Sequence, residues 1–112
     1  MVTTAKPALR GEVHLVRLDP TLGSGIRKTR PCLIVSPDEL NRHLRTTVIA
    51  PMTTAGQAYP WRIVCRFQQR AGFVALDQLR TVDQVRLVKR LGRLAPVTVA
   101  SVLQGLQEMF TE

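Results

Sequence analysis

Acidic residues, cysteines and long apolar runs are all scarce in this 112-residue sequence. Eight acids stand against sixteen lysines and arginines, and the resulting net charge of +8 indicates a polyanionic partner. Nucleic acid is the first candidate and an anionic membrane surface the second, since charge alone does not choose between them. No apolar run approaches the roughly 18 residues of a membrane span, so we expect no transmembrane helix.

Motifs for metal binding and redox chemistry are missing. Neither CxxC nor HExxH occurs, so the sequence predicts no metal site and no cofactor. Cys32 and Cys65 both lie in apolar stretches typical of strands, which favours buried free thiols in a reducing cytoplasm over a disulfide. The N-terminus has no apolar segment of the signal-peptide kind, and we expect a cytoplasmic protein.

The common nucleophile motifs are absent as well. There is no G-x-S-x-G, and the glycines at 23 and 25 around Ser24 lack the Lys-Ser/Thr ending of a phosphate-binding loop, so we expect a hinge there. His14 and His43 offer a possible acid–base pair for RNA cleavage. However, His14 falls inside a predicted strand and His43 follows a predicted helical turn, which argues against the pair.

The sequence does contain short apolar, β-branched stretches separated by turn residues. They predict strands over residues 11–19, 31–35, 46–54, 61–67, 73–79 and 87–94, with a turn over 81–85. The apolar run after Pro31 indicates a strand buried on both faces, as in a small closed barrel. Residues 36–42 predict a short helical turn with Ser36 as its N-cap.

The last segment has a different period. After Pro96, apolar residues recur at helical spacing at positions 99, 102, 103, 106, 109 and 110. They predict a C-terminal amphipathic helix whose apolar stripe contacts the core or a second copy of the chain. The length and pattern together predict one domain over residues 1–112, with a flexible tail over 1–9. Its fold class is mostly β with α: a small SH3-like antiparallel barrel closed by a C-terminal helix.

A group of cations stands directly before the second predicted strand. Arg27, Lys28 and Arg30 precede Pro31, in what the pattern predicts to be a loop. Such a group can hold an anion, or it can be a solvated basic loop, and composition leaves both interpretations open. Thr53 ends the third predicted strand with a hydroxyl group. If Arg30 and Thr53 meet in space, they can grip one phosphate and stabilise charge that grows in a pentacoordinate transition state.

Several segments, taken in order, resemble the MazF/PemK family of toxin endoribonucleases. They are Arg10-Gly11-Glu12-Val13, Leu18-Asp19-Pro20-Thr21, Lys28-Thr29-Arg30-Pro31, Val48-Ile49-Ala50-Pro51-Met52-Thr53-Thr54 and Leu76-Asp77-Gln78-Leu79-Arg80-Thr81-Val82-Asp83. The resemblance covers nearly the whole chain. It implies an mRNA interferase of a type II toxin–antitoxin system: a homodimer that cuts single-stranded RNA without a metal ion. The expected substrate is mRNA, with tRNA and rRNA as further candidates, and a cognate antitoxin neutralises the toxin.

The resemblance also implies roles for individual residues. Arg30 and Thr53 are the catalytic pair, acting while the RNA 2′-hydroxyl attacks its own phosphate to give a 2′,3′-cyclic phosphate and a 5′-hydroxyl. The implied RNA-binding residues are Arg10, Arg27, Lys28, Thr29 and Gln78. For Arg27 and Lys28 a solvated charge stays an alternative, and for Gln78 a structural hydrogen bond beside Asp77 does. Tyr59 and Trp61 are potential stacking residues, although Trp61 at a strand start favours a core position.

The chain departs from the family pattern at three positions and leaves two other functions open. His14 stands where an aromatic residue is usual, Arg17 where an aspartate is common, and Gly25 where a glutamate is frequent. One alternative is a non-catalytic topoisomerase poison of the CcdB type, which shares the fold but relies on a C-terminal Trp-Gly-Ile that is not found here. The other is a plain nucleic-acid-binding barrel without activity.

Overall fold

A computed structural model describes residues 6–18, 28–54, 56 and 60–112. Strands β1 to β5 within these residues are Glu12–Leu18, Lys28–Ile34, Thr46–Thr53, Arg62–Phe67 and Arg70–Ala75. Strands β6 and β7 are Arg80–Asp83 and Leu87–Arg93, and helices α1 and α2 are Asp38–His43 and Pro96–Met109. Short 3-10 turns at Leu76–Gln78 and Gln84–Arg86 flank β6. No helix in these ranges is long and apolar enough to cross a bilayer.

All strand pairings in the described part of the chain are antiparallel. The order is β4-β5-β3-β2-β1-β7, and β6 pairs with the first half of β3. Because Ile49 pairs with both Ile34 of β2 and Arg80 of β6, β6 lies on the edge of β3 that β5 occupies further along. The predicted fold class, a mostly antiparallel β structure with a C-terminal helix, is confirmed.

Strand β2 is buried on both faces, which explains its unbroken apolar run. Leu33 packs into the larger core, which includes Val13, Ala50, Met52, Val74 and Val102. Cys32 and Ile34 point the other way, into a smaller core with Val16, Ile49 and Val82. Since neighbouring residues of a strand face opposite sides, a strand between two cores has apolar residues at every position.

Helix α2 covers the larger core, as its helical period predicts. Val102 is fully buried there, and Gly105 allows the helix to approach β4 and the turn after β5 closely. A Cβ atom at position 105 would lie 2.8 Å from Leu76 Cδ1 and 3.3 Å from Ile63 Cδ1. Pro96 occupies the first turn of the helix, where its missing N–H has no intrahelical partner to lose.

Strand β2 begins earlier than its sequence predicts. Lys28, Thr29 and Arg30 pair with Leu18, Arg17 and Val16 of β1, so these residues belong to a strand and not to a loop. Arg27, and with it the region of Ser24 and the departure at Gly25, lies outside the described residues. The β2–β3 pairing ends at Cys32, next to Pro31, while pairing with β1 continues. Because β2 still pairs with β1 there, the strand continues across Pro31, which the sequence pattern places at the start of the strand.

The region between β4 and β6 also differs from the prediction. Strand β5 starts at Arg70, directly after a two-residue turn, where the sequence predicts a loop over 68–72. It ends at Ala75, so the predicted strand over 73–79 is shifted toward the N-terminus. Residues 80–83 form β6, where a turn over 81–85 is predicted. The turn contains no glycine or asparagine, the residues by which a tight hairpin is recognised in a sequence.

Packing against the core begins before β1. Ala8 is 1% exposed in the smaller core, and its N–H donates to Gln84 Oε1 at 3.2 Å. The predicted flexible tail over residues 1–9 is therefore wrong for Ala8, while residues 1–5 lie outside the described part of the chain. One alanine carries too little signal in a sequence to show that it fills a core.

Ser36 does not cap helix α1, because Pro37 holds the N-cap position and makes no side-chain cap bond. Instead the Ser36 hydroxyl donates to Asn41 Oδ1 at 2.6 Å and lies 2.9 Å from Thr47 Oγ1. Asn41 Oδ1 also accepts from Thr47 Oγ1 at 2.8 Å, and all three side chains are buried. This network fastens α1 to the start of β3.

Both cysteines are free and buried, as the sequence predicts. Burial raises the pKa of Cys32 to about 12, with Arg30 and Arg80 opposing that rise through their positive charges. Burial also raises the pKa of Cys65. Thiols held in the protonated form are weak nucleophiles, so neither residue is suited to attack a substrate.

Replacing Asn41 with alanine should destabilise the protein by about 1–3 kcal/mol, since it leaves the buried hydroxyls of Ser36 and Thr47 without their common acceptor. The measurement is the urea midpoint of unfolding, with Arg42→Ala, an exposed position of the same helix, as control. A loss under about 0.5 kcal/mol, the range of ordinary surface substitutions, would contradict the structural role of the network.

Candidate active site

The pairing of β2 with β3 brings Arg30 toward Thr53. Cys32 lies opposite Pro51 and Leu33 opposite Ala50; the same register, continued by two residues, places Arg30 across from Thr53. Residues 30 and 53 therefore lie on neighbouring strands, just beyond the last paired residues. Arg30 and Thr53 also line the same pocket, so the sequence prediction that they meet agrees with their placement here.

This pocket, called the Arg30 pocket below, has a volume of about 380 Å³. Its lining residues are Arg30 and Pro31 of β2, Met52, Thr53 and Thr54 at the end of β3, Cys65, Phe67, Gln68, Arg70, Ala71 and Gly72 of the β4–β5 hairpin, and Leu91 of β7. The volume lies at the lower end of the range for small-molecule sites. Met52 and Cys65 are buried and form an apolar floor, whereas the polar and cationic groups lie toward solvent.

The chemistry of the lining residues suits an anion. Arg30, which is partly buried, carries a permanent planar charge with five N–H donors, a geometry that matches phosphate oxygens. Thr53, also partly buried, contributes a hydroxyl, and Arg70 adds an exposed second cation. Arg30 and Thr53 together can bind a phosphate and stabilise additional negative charge on it.

Gly72 is a site residue that sequence reasoning missed. It lies on β5 behind Thr53, and a Cβ atom at this position would be 2.6 Å from the Thr53 carbonyl oxygen. Phe73, the next residue, pairs with Thr53 across the sheet. Only glycine lets the two backbones approach this closely, so Gly72 sets the position from which the Thr53 side chain projects. The sequence offers a signal in the lone glycine before an apolar run, but assigns it to a loop.

The other residues missed from sequence come from the β4–β5 hairpin and from β7. Gln68, Arg70 and Ala71 fall in the predicted loop over 68–72, and nothing in the pattern shows that this segment folds back toward β3. Leu91 is a strand residue whose partners depend on the tertiary structure. These positions become recognisable only when the hairpin and its register are known.

The predicted RNA-binding residues do not all gather at the Arg30 pocket. Thr29 is exposed on β2 beside Arg30 but does not line the pocket. Lys28 starts β2, and Arg27 lies outside the described residues. Gln78 is exposed at the end of a 3-10 turn and does not line the pocket. Its neighbour Asp77 accepts two hydrogen bonds from Arg62, at 2.7 and 3.0 Å.

Arg10 precedes β1 and lies away from the Arg30 pocket. Arg30 pairs with Val16, about 13 Å along the extended strand from its first residue, Glu12, and Arg10 comes before that strand. Arg10 Nε donates to the Val35 carbonyl at 2.8 Å, and the residue lines a second pocket beside α2. Within this chain, Arg10 and Arg30 therefore do not meet at one pocket.

The two histidines are engaged away from the Arg30 pocket. His14 Nε2 lies 3.0 Å from Glu12 Oε1, and His43 Nδ1 lies 2.8 Å from the Glu39 carbonyl oxygen. Burial acts to raise the pKa of Glu12, but hydrogen bonds from His14, the Leu9 N–H and Arg90 outweigh it and lower the pKa. The unusual histidine at position 14 thus partners a buried carboxylate, and the proposed acid–base pair finds no support.

Of the two aromatic residues considered for stacking, Trp61 packs against the larger core, as its position at a strand start favours. Tyr59 lies outside the described residues. Trp61 therefore belongs to the packing of the fold. Among the described residues, Phe67 at the end of β4 is the aromatic side chain that lines the Arg30 pocket.

Comparison with known proteins places these observations in a family. A family model described as PemK-like, MazF-like toxin of type II toxin–antitoxin system matches residues 9–110. The chain is 37% identical to the endoribonuclease PemK of Escherichia coli over 91% of this chain and 81% of that protein. It is 31% identical to the endoribonuclease toxin MazF of E. coli K12 over 77% and 78% of the two chains.

Solved structures agree with the sequence matches. An endoribonuclease in complex with its cognate antitoxin, from a mycobacterial species, superposes with a TM-score of 0.75. That structure is 27% identical to this chain, and the alignment covers 90% of this chain and 92% of the other. With the family model spanning nearly every described residue, the chain belongs to the PemK-like, MazF-like toxins of type II toxin–antitoxin systems.

Proposed function

We propose that this protein is an endoribonuclease toxin that cuts single-stranded RNA in the Arg30 pocket. The observation that carries the proposal is the presence of Arg30 and Thr53 in one pocket, at the place where β2 and β3 separate. Relatives named endoribonucleases at 31% and 37% identity support the reaction class. The net charge of +8 suits an RNA substrate, with mRNA first and tRNA or rRNA as further candidates.

In the proposed reaction the RNA supplies its own nucleophile, and no metal ion takes part. The 2′-oxygen attacks the adjacent phosphorus and loses its proton, while the bond from phosphorus to the 5′-oxygen breaks and that oxygen gains a proton. The products are a 2′,3′-cyclic phosphate and a 5′-hydroxyl. Arg30 stabilises the extra negative charge of the phosphorane, and Thr53 holds a non-bridging oxygen. Arg30 acts as an electrostatic group, through the permanent positive charge and the N–H donors of its guanidinium.

Residues outside the pocket are proposed to bind the RNA on either side of the cut. Thr29 directly precedes Arg30 on β2, and Lys28 and Arg27 come before it in the sequence. Gln78 lies on the loop that joins β5 to β6. Arg10 lies before β1 and lines a separate pocket, so it would contact a more distant nucleotide or RNA bound by the second protomer of a homodimer.

The proposed partner in the cell is a cognate antitoxin, in a cytoplasmic complex with the toxin homodimer. A relative of known structure is complexed with its antitoxin. For a chain of net charge +8, the fitting antitoxin segment is acidic and partly disordered, folding as it covers the basic surface. Its binding would close the route of RNA to Arg30.

Arg30→Ala and Thr53→Ala should each reduce cleavage about 10²- to 10³-fold, the usual effect of removing one group that stabilises transition-state charge. The measurement is the mapping of new 5′ ends on a long single-stranded RNA in EDTA. Arg42→Ala and Thr81→Ala, which change the same residue types at exposed positions outside the pocket, are the controls and should cleave like wild type.

Cleavage by Arg30→Ala and Thr53→Ala at the wild-type rate would show that the pocket is not the active site. If the wild-type protein itself produced no cuts, yet bound nucleic acid, the non-catalytic alternatives would replace the endoribonuclease. The four variants separate these outcomes, because the controls carry the same loss of charge or hydroxyl as the pocket variants.

Gly72→Ala should reduce cleavage at least tenfold per folded molecule, since the new methyl group forces the Thr53 carbonyl and its strand to move. The matched control is Gly105→Ala, which also introduces a crowded methyl group, but in α2 against Leu76. Cleavage rates are compared after the folded fraction of each variant is measured by circular dichroism. Equal rates for Gly72→Ala and Gly105→Ala would contradict a positioning role for Gly72.

A further inference from the structure

The β4–β5 hairpin forms a large part of the Arg30 pocket. Phe67, Gln68, Arg70, Ala71 and Gly72 all line it, together with Arg30 and Thr53. The roles assigned so far belong to β2 and β3, and only Gly72 of the hairpin has been given one. Five of the six residues at positions 67–72 therefore form one wall, which is placed to contact whatever the pocket binds.

The tip of this hairpin has an uncommon backbone. Phe67 pairs with Arg70, so Gln68 and Gln69 alone make the turn, and their φ angles are +51° and +67°. Two consecutive positive φ values define a turn that normally selects asparagine and glycine. Glutamine is disfavoured in this conformation, which persists where neighbouring contacts hold it and which concentrates at functional sites.

Contacts on both sides hold the hairpin in place. Gln68 Nε2 donates to the Leu91 carbonyl of β7 at 3.3 Å, and a Cβ atom at Gly92 would lie 3.3 Å from the Phe67 ring. On the other side, Gly72 lies against the Thr53 backbone. The hairpin is therefore fastened to β7 and to β3, and the residue after its turn, Arg70, starts from a fixed backbone position.

Arg70 is the cation that this arrangement presents to the pocket. It is exposed, so its guanidinium remains hydrated and available, whereas Arg30 is partly buried beside Pro31. Arg66 is an exposed arginine of the same hairpin, four positions earlier, and it does not line the pocket. The two residues thus share type, exposure and hairpin, and differ in whether they face the site.

We propose that Arg70 binds the phosphate next to the scissile one. By this contact the hairpin determines which phosphodiester bond of the RNA lies between Arg30 and Thr53. The inference rests on the proposed function. A pocket of about 380 Å³ has room for a small group such as one phosphate. The next phosphate of the same RNA strand then carries a second negative charge close to the pocket. An exposed arginine suits that second phosphate, because phosphate contacts position the strand without reading its sequence.

The test compares Arg70→Gln with Arg66→Gln in binding a uniformly 2′-O-methylated single-stranded RNA, which lacks the hydroxyl needed for cleavage. For Arg70→Gln, the slope of log K against log salt should become shallower by about 0.7, the value for one phosphate contact on a single strand. At fixed salt the dissociation constant should rise about fivefold. Arg66→Gln should change neither quantity by a comparable amount, and Arg70→Lys should restore the slope.

Cleavage kinetics on an unmodified RNA provide the second readout. Arg70→Gln should raise KM by a factor similar to the loss in binding and leave kcat within about twofold, since the residue positions RNA without touching the breaking bond. Equal slope changes for Arg70→Gln and Arg66→Gln would show that Arg70 contributes only non-specific positive charge, and would overturn the proposal. An unchanged slope for Arg70→Gln would do the same.

Failure of the proposed function has a different signature from failure of this inference. If wild-type protein cuts no RNA, the endoribonuclease assignment fails even where the two arginine variants still differ in their salt slopes. If wild-type protein cuts RNA and the two slopes match, only the role of Arg70 fails. Both substitutions are at exposed positions, so their thermal midpoints should stay near that of wild type.

Discussion

The register between β2 and β3 is the constraint on which the rest of the structure depends. Leu33 and Ala50 fill the larger core, while Cys32, Ile34 and Ile49 fill the smaller one. A slip of one residue would send each of these side chains to the wrong face, so packing on both sides fixes the register firmly. The same register carries Arg30 across from Thr53. The packing of the two apolar cores thus fixes the relative positions of Arg30 and Thr53, which lie just beyond them.

Two further features of the structure shape the pocket around Arg30 and Thr53. Gly72 lets β5 approach the backbone of Thr53, and the β4–β5 hairpin, fastened at Gln68, closes the opposite wall. Arg30 then supplies positive charge above an apolar floor. Groups that are already in position when the substrate arrives need no reorganisation during the reaction, and this preorganisation is what makes cations effective for phosphate chemistry.

Sequence patterns predict the elements whose signal is local. Pro96 and the apolar period that follows define α2, and the run from Cys32 to Val35 shows burial on both faces. Family resemblance adds the pairing of Arg30 with Thr53. The hairpin wall could not be predicted, because Gln68 and Gln69 take a conformation that their residue type disfavours. Ser36 has the appearance of a helix cap, but its hydroxyl donates to the buried Asn41 side chain.

The most direct test of the account is a single atomic change in the RNA. A substrate with a 2′-deoxynucleotide immediately before the mapped cleavage bond is incubated with wild-type protein in EDTA, and the end groups are identified. The account predicts that this bond stays intact while unmodified sites yield 2′,3′-cyclic phosphate and 5′-hydroxyl ends. Continued cutting at the deoxynucleotide would show that the nucleophile is not the neighbouring 2′-hydroxyl, and would contradict the proposed chemistry of Arg30 and Thr53.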